Sequence, residues 1–443
     1  MNIANKITRN AYLYPHKKAV LLARKQGKDI IYDSLTFKEV ESFIDQYALN
    51  LENLGIKKGD KVLLLTPPTV SFSPLVFALF KMGAVVVLMD KGAGLLKLFA
   101  SIRQVAPKVL IGSFPVFLLR FLYRAPFKSV SLLLNKGKYK FPGTVRLETP
   151  RKKSDLHYKE RVMSKYDPAA ILFTSGATGD PKGVIYTHFM LLKQVELLQK
   201  MFNLTEKDLD VAAFPLFSLF TLSMGITSVL PPMDFSQPAK ADPATMVRLI
   251  EELEATFLTG SPAVWQKVAN YCDRKKITFS SVRVLATFGA PVSIDLHKKF
   301  NNILISGTTY TPYGATESLP VSNISGKEIL HETASLTQKG RGVCVGHASF
   351  EMEIKIIRPT KEPIDELTQA KMLTPYQVGE IIVRGPVVSA SYYNMPEKNA
   401  TSKIMDDNTF WHRMGDMGYL DLQGRLWYCG RKSHLVFTQN KVL

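Results

Sequence analysis

The sequence predicts an α/β fold on a mostly parallel sheet, followed by a small antiparallel, barrel-like β region. Up to about residue 335, short aliphatic or β-branched runs alternate with stretches at helical spacing, the pattern of strand–helix–strand units. Beyond that point the texture shifts to short alternating strands divided by Gly and Pro, which fits a small barrel. The chain is also long enough to bury a large core: 443 residues, 46% apolar and 21% charged. That balance suggests two or three domain-sized units and argues against disorder.

The N-terminal MNIANKITRNAY is too polar for a signal peptide. Lys61 to Leu65 reads as a buried strand ended by Pro67-Pro68, Phe72 to Met82 as a helix, and Ala84 to Met89 as the next strand. The most apolar stretch, Val70 to Met89, contains Pro74, Lys81 and Gly83. It suits a buried helix followed by a strand better than a membrane span, so no transmembrane segment is predicted. Lys108 to Ile111 and Ala169 to Phe173 read as strands; Met190 to Met201 and Ala244 to Leu253 show helical spacing. Phe350 to Ile357, Val378 to Val383 and Gly424 to Tyr428 read as the later strands, with a charged, irregular loop from Pro359 to Pro375. There is no internal repeat.

Lys and Arg number 57 against 38 Asp and Glu, a formal charge of +19. Part of the excess is clustered from Arg103 to Lys153, where Pro115 to Leu134 mixes Phe, Leu and Tyr with Arg and Lys. A solvated basic surface is the first reading and peripheral contact with an anionic membrane the second. No recognition motif supports nucleic acid. Cys272, Cys344 and Cys429 are far apart and form no CxxC pair, so neither a disulfide framework nor a zinc site is indicated, and a reducing cytoplasm is expected.

The sharpest local feature is ILFTSGATGDPKGV, Ile171 to Val184. A strand runs into Thr174-Ser175-Gly176-Ala177-Thr178-Gly179 and then Asp180-Pro181-Lys182-Gly183. Glycines allow tight turns and close approach of the backbone to an anion, hydroxyls and N–H groups donate to phosphate oxygens, and Lys182 adds a point charge. GxxxxGK[ST] is not satisfied, because Gly183 follows Lys182, so this is a phosphate cradle but not a Walker A loop.

The TSGATGDPKG run resembles the signature loop of the adenylate-forming superfamily of acyl-CoA synthetases, luciferases and peptide-synthetase adenylation domains. The resemblance extends to Phe288-Gly289-Ala290-Pro291, to Thr311 to Glu317 (TPYGATE), to Gly379 to Pro386 (GEIIVRGP) with Tyr392-Tyr393-Asn394, to Trp411 to Tyr419 (WHRMGDMGY) and to Gly430-Arg431-Lys432. Met414 stands where Thr is commoner. The resemblance implies ATP and Mg²⁺ as cofactors. The backbone of Gly289, Ala290 and Pro291 would line the adenine pocket, Tyr313 would stack on the base beside Gly314, and Asp416 and Arg431 would hold the ribose. Thr316 would bond the α-phosphate and Glu317 would hold the metal; with Lys182 these two are the implied catalytic residues, and Thr174 to Gly179 with Lys182 would cradle the phosphates.

Ile171 to His188, Phe214 to Phe220 (FPLFSLF), Pro312 to Pro320 and Gly430 to His434 are similar to the OleC-type β-lactone synthetases of olefin biosynthesis. That implies ATP- and Mg-dependent activation of a fatty, β-hydroxy carboxylic acid to an acyl-adenylate, closed by its own hydroxyl. The alternative is a long-chain fatty acyl-CoA ligase. Ser218 stands where many superfamily members place a His near the acyl and thiol tunnel, which weakens the case for CoA. The acyl chain is expected along Phe214 to Phe220, Gly260-Ser261-Pro262 and Phe288, and no Asp lies in Phe214 to Phe220 to partner an amino acid's amine. His188 is open to a pocket role or a structural one, and Cys344 and Cys429 read as structural.

The expected organisation is the superfamily's large N-terminal domain: an α/β subdomain at 1–170, a second at 171–335 with the phosphate loop and adenine pocket, and a small β-barrel at 336–430. Residues 431–443 read as a hinge remnant with the C-terminal lid absent, since only Ser433 to Leu443 follow and Lys441 lies too close to the hinge to replace the lid's lysine. A lid-less nucleotide- and acyl-binding paralogue with little activity is therefore a further alternative. The expected partners are a fatty acid, with peripheral membrane contact or pathway enzymes beyond it and no nucleic acid; the expected location is cytoplasmic, with membrane association as the second reading.

Overall fold

The computed structural model describes residues 1–89, 94–152, 154–174 and 181–435, Thr174 by its backbone alone. These fall into two units, one of Met1–Gln199, Leu204–Gln237 and Ser389–Asn394, the other of Lys200–Asn203, Pro238–Val388 and Met395 onward.

The strands of the first unit are β1 (Lys18–Gln26), β2 (Asp29–Thr36), β3 (Lys61–Leu64), β4 (Val85–Met89), β5 (Val109–Gly112), β6 (Leu132–Asn135), β7 (Val145–Arg146), β8 (Pro168–Thr174), β9 (Lys182–Thr187), β10 (Leu209–Ala212) and β11 (Thr227–Leu230). Its helices are α1 (Asn5–Leu13), α2 (Phe37–Asn53), α3 (Phe72–Lys81), α4 (Leu95–Val105), α5 (Phe114–Leu122), most of α6 (His188–Phe202), and α7 (Phe217–Ser223). One sheet has the order β7-β6-β5-β3-β4-β8-β9. Its neighbours are parallel except β8 and β9, which pair antiparallel with Thr174 opposite Lys182. Parallel strands are covered on both faces, and Val62, Leu63, Val86, Val87, Leu110 and Ile111 are accordingly all solvent-free. The other strands run β10-β11-β1-β2, parallel apart from the β1–β2 hairpin.

Helix α3 is buried at every position, which is why its sequence reads as a continuous apolar run. Its one charge, Lys81, donates to Asp45 at 2.5 Å and to Glu41 at 2.6 Å, both on α2. Helix α2 starts at a capping box in which Thr36 and Glu39 each satisfy the other's backbone N–H.

In the second unit, β12 (Phe257–Gly260), β13 (Val284–Thr287) and β14 (Thr308–Tyr310) are parallel neighbours. Helices α8 (Pro243–Glu252), α9 (Pro262–Lys275) and α10 (Ile294–Ile303) precede or connect them; Asp242 caps α8 and Ser293 caps α10. The remaining strands are β15 (Tyr313–Ala315), β16 (Ser318–Asn323), β17 (Val343–Ala348), β18 (Glu353–Ile357), β19 (Gly379–Arg384), β20 (Lys403–Asp406), β21 (Thr409–Leu420) and β22 (Leu426–Arg431). They form a small antiparallel sheet in the order β15-β16-β17-β22-β21-β19-β18, with β20 paired to β21. Ile357, Ile382, Ile404 and Trp411 fill one core beneath it, and Cys344, Tyr419 and Trp427 another.

The fold is the predicted α/β class with an added antiparallel sheet, and most expected elements appear within a residue or two. Two strands start later than the sequence suggests. Phe350-Glu351 is a turn with Glu351 at φ +61°, so β18 begins at Glu353. Gly424, at φ +76°, closes a turn onto the Asp421 carbonyl, so β22 begins at Leu426. Among the described residues no helix is long and apolar enough to cross a membrane.

Candidate active site

Strands β21 and β22 pair with Asp416 opposite Arg431. That register brings Arg431 Nη1 to 2.9 Å from Asp416 Oδ1. Tyr313, the first residue of β15, donates its phenol to Asp416 Oδ2 at 2.6 Å, and its ring lies 6.2 Å from that of Tyr428 on β22. Burial lifts the Asp416 carboxyl above the usual carboxylate range; the Tyr313 hydrogen bond and the Arg431 charge draw it back, while the Glu317 charge adds to the lift. Burial and the adjacent Asp416 hold the Tyr313 phenol well above its ordinary value, so the proton stays on the phenol. The outcome is a buried acceptor framed by an aromatic ring and a half-exposed guanidinium.

The β15–β16 hairpin pairs Tyr313 with Ser322 and Ala315 with Ser318, and its turn presents Thr316 and Glu317, both half-buried. Gly314 is required here, because a Cβ at that position would stand 2.4 Å from the Ser318 carbonyl oxygen. Gly289, Ala290 and Pro291 form an exposed turn between β13 and the α10 cap. Gly289 sits at φ +87° with open space where a side chain would be.

Lys403 is a residue that sequence reasoning missed, and His412 stands in a motif with no role assigned to it. Lys403 on β20 faces His412 on β21, with Nζ 3.1 Å from Nδ1. Burial lowers the Lys403 ammonium to about 7, against the opposing pull of the Glu317 carboxylate. The signal is non-local, since Glu317 belongs to the β15–β16 turn and Lys403 to β20.

Of the expected groups, Lys182, Ser218 and His188 lie in the first unit. Lys182 opens β9 with its ammonium 5.2 Å from the centre of the Tyr392 ring, while Ser175, Gly176, Ala177, Thr178, Gly179 and the Thr174 side chain lie outside the described residues. Gly183 packs against Phe173 and Ile171, and a Cβ there would stand 2.9 Å from the Phe173 ring. Its carbonyl accepts from Tyr393 N–H at 2.7 Å, which ties residues 389–394 to β9. Ser218 is buried and donates to the Pro215 carbonyl at 2.6 Å. His188 is wholly buried: its Nδ1 accepts from Ile3 N–H at 3.3 Å, its ring meets Phe80 edge-on, and burial lowers it to about 4. These contacts are those of a structural histidine. Cys344 is buried, and burial pushes its thiol up to about 12.

Among the described residues no three His, Cys, Asp or Glu side chains cluster as a metal cage. A magnesium ion fits nonetheless, since it takes one or two carboxylates and otherwise phosphate and water oxygens, and Glu317 is a half-buried carboxylate at the β15–β16 turn. A nucleoside fits the buried Asp416 acceptor between Tyr313 and Arg431.

The profile of the AMP-binding enzyme family matches residues 7–393. The chain belongs to that family, the adenylate-forming superfamily, and by class is an AMP-forming ligase. It is 35% identical to an olefin β-lactone synthetase of Stenotrophomonas maltophilia (strain K279a), an alignment covering 99% of this chain and 80% of that protein. It is 26% identical to peroxisomal OPC-8:0-CoA ligase 1 of Arabidopsis thaliana, over 91% of this chain and 71% of the relative. Among solved structures, O-succinylbenzoate coenzyme A synthetase of Bacillus subtilis, in complex with ATP and magnesium ion, superposes with a TM-score of 0.76 at 21% identity, covering 99% of this chain and 82% of that one. At that identity the match speaks for the fold.

Proposed function

We propose that this chain activates a β-hydroxy fatty acid with ATP and Mg²⁺ to its acyl-adenylate and then closes it to a β-lactone. The observation that carries the adenylation step is the buried Asp416 acceptor with Tyr313 and Arg431 upon it. The lactone step is supported by 35% identity across almost the whole chain to olefin β-lactone synthetases.

In this reading the Asp416 carboxylate accepts from the ribose hydroxyls with Arg431 beside it, the Tyr313 ring stacks on adenine, and the backbone of Gly289, Ala290 and Pro291 borders the base. Thr316 donates to the α-phosphate. Glu317 is the protein ligand of the magnesium ion, which when bound neutralises charge on the phosphate oxygens. Lys182, with Thr174 to Gly179, offsets the charge on the departing pyrophosphate. The acid's carboxylate oxygen forms a bond to the α-phosphorus as the bond to pyrophosphate breaks. The β-hydroxyl oxygen then attacks the acyl carbon, AMP leaves with the bonding pair, and the hydroxyl proton passes to solvent. Ser218, spent on the Pro215 carbonyl, offers no base for a thiol acceptor.

A racemic β-hydroxy fatty acid with ATP and Mg²⁺ is expected to give β-lactone, AMP and pyrophosphate in equal amounts without coenzyme A, as read by mass spectrometry and a pyrophosphate assay. A product that forms only with coenzyme A would replace the lactone reading with a CoA ligase. Glu317→Ala should reduce pyrophosphate release at least about 100-fold, and release at the wild-type rate would overturn the metal assignment.

A further inference from the structure

Residues 91–147 contain eleven Lys and Arg and not one Asp or Glu. The fold sets an apolar ridge within this acid-free stretch. Helix α5 turns Phe117 into the core, against Phe141 on one side. Phe114, Leu118, Phe121 and Leu122, spaced four, seven and eight residues along the same helix, form an outward stripe, all exposed and Leu122 by 65%. Helix α4 extends the ridge: its Phe99 ring lies 5.1 Å from Tyr123 just beyond α5, and Leu96, one turn earlier, is 85% exposed. At the other end Phe114 meets the exposed Tyr139 ring at 6.4 Å.

Cations frame this ridge. Arg103, Arg124, Lys128, Lys138 and Lys140 are exposed, and among the described residues none of them pairs with a carboxylate. Arg124 and Lys138 instead lie over the rings of Phe121 and Tyr139. A helix whose outer stripe is apolar, edged by unneutralised Arg and Lys, has the composition of a segment lying in the plane of a bilayer interface.

We propose that the α4–α5 face docks on an anionic lipid surface, with the Phe114–Leu122 stripe sunk among the acyl chains and the five cations among the headgroups. The charge sign selects the occupant: a second copy of this chain would bring an equally basic, acid-free face against it. Nucleic acid would match the charge, but aliphatic Leu118 and Leu122 give it neither stacking nor hydrogen bonds. The inference stands apart from the adenylation reading.

The test is co-sedimentation of the 443-residue protein with vesicles of phosphatidylcholine plus phosphatidylglycerol, against vesicles of phosphatidylcholine alone. Binding is expected only with phosphatidylglycerol, and it should fall steeply toward about 1 M salt, where the Debye length is about 3 Å. The double change Phe121→Glu with Leu122→Glu should weaken binding at least about tenfold, with an unchanged thermal midpoint reporting an intact fold. Should those substitutions disturb α5, Arg124→Ala and Lys128→Ala, on exposed side chains, should each weaken binding about fivefold. Failure of the wild type to bind the anionic vesicles, or variants that bind as it does, would overturn the proposal. So would a dimer in solution that Leu122→Glu dissociates, which would give the face to a second copy.

Discussion

Asp416 is where the chemistry of single side chains concentrates. Its carboxylate is nearly solvent-free yet accepts from Tyr313 and pairs with Arg431. Asp416→Asn keeps the shape but removes the charge that Tyr313 and Arg431 address and, on the proposed reading, the ribose hydroxyls too. The loss of charge-assisted hydrogen bonds should cost about 1.5–3 kcal/mol, roughly 10- to 150-fold in the affinity for a non-hydrolysable acyl-adenylate mimic by calorimetry. Two histidines act on the fold instead. Burial lowers both His188 and His297 to about 4. Between about 6.5 and 4 the unfolded chain takes up protons on these rings and the folded chain does not. Stability therefore falls as pH drops through that window, by up to about 3 kcal/mol for each, and this loss is complete below it. His297, bonded through Nδ1 to Thr309 at 2.7 Å, gives the cleaner test. In urea titrations the advantage of wild type over His297→Gln should shrink from pH 6.5 to pH 4; an advantage that stays constant would show that the ring is not held neutral.

At the scale of elements, the β15–β16 hairpin carries the candidate chemistry in its turn. Gly314→Ala would force its new methyl against the Ser318 carbonyl, 2.4 Å away, and the turn bearing Thr316 and Glu317 would have to shift. Displacement of reacting groups by about 1 Å costs about 100-fold in rate. The variant is expected to fold, as judged by circular dichroism, but to lose about that factor in kcat for pyrophosphate release. Full activity would mean the hairpin need not be rigid. The site was only partly legible at this scale. Thr316, Glu317, Asp416 and Arg431 each sit in a short motif, so sequence alone nominated them. Lys403 sits in none, and it feels the field of Glu317 from a strand far away in the chain.

Across the molecule, all three tryptophans, Trp265, Trp411 and Trp427, are buried in the second unit. Their fluorescence therefore reports unfolding of the unit that holds Tyr313, Glu317, Asp416 and Arg431. An acyl-adenylate mimic at about 100 times its Kd should stabilise the tryptophan-reported transition by about 2.7 kcal/mol. Asp416→Asn should remove between about half and nearly all of that gain; an undiminished gain would place the nucleotide elsewhere. The strong positive charge also has a place: much of it lies in the acid-free stretch around α4 and α5, where the proposed lipid docking would use it.

By itself the sequence determined the α/β class, the approximate positions of the strands it named and the order of the nucleotide motifs, because strand propensity, glycine turns and apolar periodicity act over a few residues. It also nominated candidate phosphate, ribose and metal side chains, since each lies in a short motif. Only the tertiary structure decided that Asp416 would face Arg431 beneath Tyr313, that burial would lower Lys403 to about 7 against the pull of Glu317, and that residues 389–394 would return to β9 through the Tyr393–Gly183 hydrogen bond. These depend on strand register and burial between segments far apart in the chain, and local conformational preference carries no information about which distant strand will supply the partner.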